Sequence, residues 1–340
     1  MPELPDLLNA LVLVTNYVLV PAITYGSQLA LGALGVTIVF GILRFANFSH
    51  GDLMAFGTMV TVLVTWGLQS LGIGLGPLPT ALLALPVGIL VSVLLSLFVG
   101  HRVFGFYRRQ KSPPVVMVIV SVGVMFVYNG LVRFIIGPGD QVFADGERFI
   151  IKARTFKEAT GLAEGLSIKL TQGLTVIVAV MVVAGLFWFL QRTRTGKSMR
   201  AFSDNEDLAL LSGIDPSRVV MVTWIIAATL ATIAGVLYGL DKSFKPFTYF
   251  QLLLPIFAAA IVGGIGQPLG AIVGGYVIAF SEVTLTYAYK QFLRYLMPEE
   301  LEPEGLLQLL STDYKFAISF VILVVVLLVR PTGIFKGKVL

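Results

Sequence analysis

Residues 192–218, RTRTGKSMRAFSDNEDLALLSGIDPSR, form a charged island between two apolar runs, 172–190 and 219–240, each near the roughly 20 residues that cross a bilayer as a helix. A charged loop bounded on both sides by such runs belongs to a chain that threads a membrane repeatedly. Within the island, Ser203 followed by Glu206 has the form of a capping box, in which each side chain satisfies a backbone N–H at a helix start. Asp204 and Asp207 put negative charge in that first turn, where the helix dipole favours it, and Gly213 and Pro216 are stop signals. The expectation is a short amphipathic helix over 204–212 that offers Leu208 and Leu211 to a groove. Isolated helices below about 12 residues are marginal in water, so a partner or the flanking spans should hold it.

Composition supports the same class. Of 340 residues, 56% are hydrophobic and only 13% charged, whereas soluble domains carry about 25% charged residues. Mean hydropathy is +0.89. The expected fold is all-α, a polytopic bundle of about 8–10 transmembrane segments in one membrane domain over 1–340, with no separate soluble domain. The net charge of +5 comes from basic residues clustered in short loops, as orientation signals are, and not from a nucleic-acid surface. The absence of cysteine excludes disulfides, thiolate chemistry and cysteine-ligated metals. The start, MPELPDLLNALVLV, is acidic and lacks a small-residue cleavage site, so no removable leader is expected.

Ten apolar runs are candidate crossings: 8–24, 28–43, 52–72, 77–100, 115–136, 172–190, 219–240, 252–264, 268–289 and 316–330. Two of them, 28–43 and 252–264, could be broken or re-entrant, the first for the polar knot that follows it and the second for its length. Lys and Arg concentrate in 101–111 (Arg102, Arg108, Arg109, Lys111), in the island (Arg192, Arg194, Lys197, Arg200) and in the tail (Arg330, Lys336, Lys338), which places all three in the cytoplasm. Alternation through ten crossings then puts both termini inside. Loops 137–171 and 290–315, the latter with Glu299, Glu300, Glu302 and Glu304, fall outside. The location expected is a cytoplasmic (inner) membrane, with the basic loops on its inner side.

Enzymatic motifs are missing. Gly196-Lys197-Ser198 matches the second half of a nucleotide-binding P-loop, but the position five before Gly196 is Gln191, so the loop that wraps phosphates cannot form. Neither a zinc signature nor a nucleophile elbow is present, and no cofactor is expected. Three features remain. In the glycine run of 263–275, Gly266, Gly270 and Gly274 recur every four residues, a spacing that lets helices approach closely; with Gly263 and Gly264 they suit packing better than lining a path. Gln267-Pro268 signals a tight turn into the next helix. In RFANFSHGDLMAFG, 44–57, the residues Asn47, His50 and Asp52 gather at the end of two apolar runs, where a turn and cap role competes with a functional one. Glu282 lies deep in the 268–289 run and should pair with a base or with Ser and Thr groups, while Arg133 can snorkel from the outer end of 115–136. Trp66, Trp188 and Trp224 sit in apolar runs, Trp188 and Trp224 near the cytoplasmic ends, where aromatic belts are expected.

The ordered set Gly32-Ala33-Leu34-Gly35, Arg44-Phe45-Ala46-Asn47-Phe48-Ser49-His50-Gly51-Asp52, Arg192-Thr193 with Gly196 and Arg200-Ala201, Ala209 with Gly213-Ile214, and Val262-Gly263-Gly264-Ile265-Gly266 resembles the permease subunits of branched-chain and neutral amino-acid ABC importers over most of the chain. The resemblance implies two ATPase subunits that use ATP below the membrane, a second permease, identical or related, and a soluble solute-binding protein outside. It also implies that 192–218, through Arg192, Gly196, Arg200, Ala209 and Gly213, is the loop engaging the ATPase, with the capped helix of Ser203, Glu206, Leu208 and Leu211 inside it, and that 137–171 and 290–315 face the binding protein. Relatives of this kind also serve urea, short amides and other small polar solutes. The rival readings are an ion-coupled transporter using His50, Asp52 or Glu282, and a membrane enzyme at the 44–57 turn or the island.

Overall fold

The structure, a computed structural model, describes residues 4–296, 305, 307–311 and 314–335. Its helices are α1 (Leu4–Val14), α2 (Val20–Leu43), α3 (His50–Ser70), α4 (Ala81–Val99), α5 (Gly105–Arg109), α6 (Pro114–Ile136), α7 (Ala153–Thr160), α8 (Leu170–Arg192), α9 (Arg194–Asp204), α10 (Glu206–Leu211), α11 (Pro216–Lys242), α12 (Pro246–Gly263), α13 (Pro268–Thr286), α14 (Lys290–Arg294) and α15 (Lys315–Val329). Two short antiparallel strands, β1 (Phe149–Ile151) and β2 (Ile168–Lys169), flank α7 in the 137–171 loop. Among the described residues, eight helices are long and apolar enough to cross a membrane, and α15 is a shorter apolar helix. The chain is a polytopic helix bundle and a multi-pass membrane protein.

The runs 8–24 and 28–43 are not two crossings. A wide helical turn, Thr15–Leu19, joins α1 to α2, and the helix continues unbroken from Leu4 to Leu43. Tyr25, Gly26, Ser27 and Gln28 supply no helix stop, and a lone internal glycine is tolerated. At 1.5 Å per residue these 40 residues reach about 60 Å, twice the hydrocarbon thickness. The excess lies with the 137–171 loop: Asn9 Oδ1 accepts from Glu164 N (3.0 Å), Asn16 Oδ1 from Ser167 N (2.9 Å), and α1 packs on α14. The other end of the chain sits on the opposite face, where Ile334 N donates to Val262 O and Phe335 N to Gly263 O. The first and last described residues therefore lie toward opposite ends of the bundle. The 252–264 run is full length because Pro246 starts α12 at its first turn and the aromatic stretch after it is helical.

The three basic segments do gather on one face. Arg108 of α5 lies 3.8 Å from Glu206 of the island, and Ser203 lies beside the turn that follows α12. The acidic residues 299, 300, 302 and 304 and the lysines 336 and 338 lie outside the described residues. The 137–171 loop is folded onto its neighbours. Gln141 and Phe244 pair through both backbone groups, Glu147 N donates to Pro77 O (2.8 Å), and Asp145 accepts from Thr80 N (2.7 Å) and Gln69 Nε2 (2.9 Å). Those hydrogen bonds hold the Asp145 carboxyl below its ordinary value against the burial that would raise it.

Helix α2 is the centre of the bundle. It is buried along nearly its whole length from Ala22 to Val39 and packs on α8, α11, α12 and α13. Small residues allow that proximity, because dispersion at short backbone separation replaces the hydrophobic drive that lipid removes.

Candidate functional site

The island folds as two helices, and its cap lies two residues later than Ser203. Thr193 starts α9, its Oγ1 accepting from Gly196 N (3.0 Å), and the helix runs through Ser203 to Asp204. Ser203 therefore cannot cap: its Oγ donates to Gly41 O of α2 (3.0 Å), and its carbonyl accepts from the Arg44 guanidinium (2.5 Å). Asn205 breaks into an extended conformation and caps α10 instead, its Oδ1 accepting from Leu208 N (3.0 Å). Glu206, freed from a capping box, faces Arg108. At the other end Gly213 takes φ +77°, with Gly213 N donating to Leu210 O and Ile214 N to Ala209 O, the Schellman arrangement that glycine favours. Pro216 begins α11 after the Asp215 cap and does not end α10.

This construction fixes what the island presents. Ala209 is buried, while Leu208 is 60% and Leu211 86% exposed, with Leu210 beside them. Arg192 and Arg200 are exposed, and Gly196 is buried because any Cβ there would strike Phe189 O and Leu190 at the end of α8. An apolar knob thus stands on a short, doubly capped helix, tied through α9 to α2.

The 44–57 residues divide by direction. Asn47 Oδ1 accepts from Ser49 N (3.1 Å) and Ser49 Oγ (2.7 Å), a turn role. His50 is fully buried against α2, where a Cβ on Gly35 would lie 2.5 Å from its Cε1. Asp52 is also fully buried but turns to α6, accepting from Asn129 Nδ2 (2.7 Å) with its second oxygen unpaired among the described residues. The structure does not bring His50 and Asp52 together. Asn129 escaped the sequence reading, although a lone amide in an apolar span is the signal that an intramembrane polar group leaves.

Glu282 is paired. It is fully buried in α13, accepts a short hydrogen bond from Ser319 Oγ, and lies 3.7 Å from Lys315 Nζ; that ammonium stands 3.7 Å from the centroid of the Tyr25 ring. Lys315 and Ser319 come from α15, 33 and 37 residues away in sequence, a distance no local pattern bridges. Gly263 replaces Gly266 in the glycine contact. Gly264 (φ +111°) and Gly266 (φ +82°) form the turn, Gln267 N donates to Gly264 O (3.1 Å), and Pro268 opens α13. A Cβ at Gly263 would meet Gly270 backbone, and one at Gly274 would meet Ala259 O, so these residues seat α12 on α13. Trp188 is 63% exposed, whereas Trp224 is buried and stacks on Phe104 (5.1 Å).

The chain is similar to the high-affinity branched-chain amino acid transport system permease protein LivH of Escherichia coli (strain K12), at 30% identity, and to LivH of Salmonella typhimurium, at 29%, each over 92% of both chains. It is also 27% identical to BraD of Pseudomonas aeruginosa over 93% of this chain and 94% of that protein. Residues 18–327 match the family model described as the permease component of the branched-chain amino acid transport system, and the chain belongs to that family.

Proposed function

We propose that this permease carries branched-chain or other neutral amino acids inward, coupled to separate ATPase subunits that receive α10. The observation that carries the reading is the exposed Leu208–Leu211 knob on a helix capped at both ends and wired to the central helix: Ser203 to Gly41 and Arg44 to Ser203. A push on α10 moves α9, and α9 bears on α2, which touches four other spanning helices. Arg192, Gly196, Arg200, Glu206, Ala209 and Gly213 shape and hold that element. The second permease completes the path, and a soluble binding protein delivers solute to the face built from α1, α14 and the 137–171 loop. Glu282, neutralised by Lys315, is a structural ion pair in this scheme.

Uptake of labelled leucine by cells expressing the chain with its ATPases, second permease and binding protein tests the reading. Leu208→Asp/Leu211→Asp should abolish uptake and ATPase co-purification while leaving the chain in the membrane. Uptake that continues without the ATPases would refute the proposal.

A further inference from the structure

A cavity of about 620 Å³ opens beside α5, apart from the island knob and from the Glu282 pair. Its size is within the roughly 300–1,000 Å³ of small-molecule sites, and its two ends differ in chemistry. At the rim stand His101, Arg108 and Arg109, and no acidic side chain lines it among the described residues. Its apolar part is formed by the buried Phe104, Met117 and Trp224. Trp224 lies eight residues beyond Pro216 on α11, about 12 Å deeper along the helix. The cavity thus joins a cationic end to an apolar one about a turn or two deeper along α11. The buried indole Nε1 of Trp224 has no hydrogen-bond partner among the described residues, and its ring abuts Gly100, where a Cβ would come within 2.8 Å.

A soluble anion would satisfy the arginines and leave the apolar depth empty, and an apolar segment would fill the depth and leave the arginines unmatched. An anion joined to a hydrocarbon chain satisfies both, and basic pockets between membrane helices on the cytoplasmic side suit anionic head groups. We propose that this cavity is a binding site for an anionic phospholipid, its phosphate on Arg108 and Arg109 and one acyl chain beside Trp224. Arg108 also faces Glu206 of α10 at 3.8 Å, so a phosphate there competes with the contact that ties α10 to α5. Lipid occupancy thereby loosens the island.

The chain has three tryptophans, which makes the test direct. In the Trp66→Phe/Trp188→Phe background the remaining Trp224 is 4% exposed, so quenching by annular lipid is weak and the difference between two lipids reports a chain inside the cavity. The full-length chain is reconstituted in phosphatidylcholine vesicles containing increasing fractions of brominated phosphatidylglycerol or brominated phosphatidylcholine. The expected result is half-quenching at about a thirtyfold lower fraction of phosphatidylglycerol, the scale of two arginines at an anionic surface. Arg108→Gln/Arg109→Gln should remove that preference, and Arg108→Lys/Arg109→Lys should keep most of it. The lipid-exposed Trp188, as sole tryptophan, should be quenched alike by both lipids in each variant, which certifies insertion. Equal quenching of Trp224 by the two lipids, or absence of quenching, would overturn the proposal.

Discussion

At the scale of single residues, the glycines separate into two kinds. Gly270 and Gly274 face the backbone of α12, and a Cβ on either overlaps Gly263 O or Ala259 O. Gly270→Ala or Gly274→Ala should destabilise the chain by about 1–3 kcal/mol, the usual range for overpacking a rigid contact. Gly123 and Gly130 of α6 have open space around the added carbon, so alanine there should be neutral or stabilising by about 0.5–1 kcal/mol. Thermal unfolding in one detergent compares the four variants. The Glu282–Lys315 pair makes a second residue-level test. Lys315→Met strands a buried carboxylate, whereas Glu282→Gln/Lys315→Met removes both charges. The double variant should be more stable than Lys315→Met, with a coupling on the order of 1 kcal/mol or more in the cycle.

At the scale of elements, α10 depends on Asn205 and not on Ser203. Asn205→Ala removes the acceptor for Leu208 N and should cost about 1 kcal/mol of local helix stability, seen as faster amide exchange across 206–211. Ser203→Ala should leave exchange in α10 unchanged and loosen the contact of α9 with α2. The 137–171 loop has its own switch. Because the folded carboxyl of Asp145 sits below its unfolded value, its contribution to stability is complete above about pH 4 and is lost as pH falls further, through the depressed folded value. Asp145→Asn should flatten that part of the pH dependence of melting measured from neutral pH down to about pH 3. The group is only partly buried, so solvent screening keeps the effect modest.

At the scale of the molecule, an unbroken α1–α2 helix sets the sidedness. Since the chain has no native cysteine, single cysteines report accessibility without background. Leu4→Cys should react with an impermeant maleimide from outside intact cells, while Leu211→Cys should react only after lysis. Labelling of both from the same side would contradict the single-helix start. The same architecture explains how a small exposed knob can act on the whole bundle. Helix α2 runs from the 137–171 face to the island face and is buried throughout its middle, so a displacement at Gly41 is carried along a rigid rod.

What the sequence determined by itself was periodicity, composition and local stop chemistry. Long apolar runs require helices in lipid, because every backbone group must be satisfied within its own segment. The positive loops gathered on one face, Gly213 closed α10, and Gln267-Pro268 opened α13, since each depends on neighbours a few residues away. Only the tertiary structure decided that 8–24 and 28–43 are one helix, that Asn205 and not Ser203 is the cap, and that Gly263 rather than Gly266 meets Gly270. It alone joined Glu282 to Lys315 and Ser319, and Asp52 to Asn129. These facts are contacts between segments distant in sequence, or competitions between two local options of similar free energy. Packing settles both, and its geometry is not written in any short window of residues.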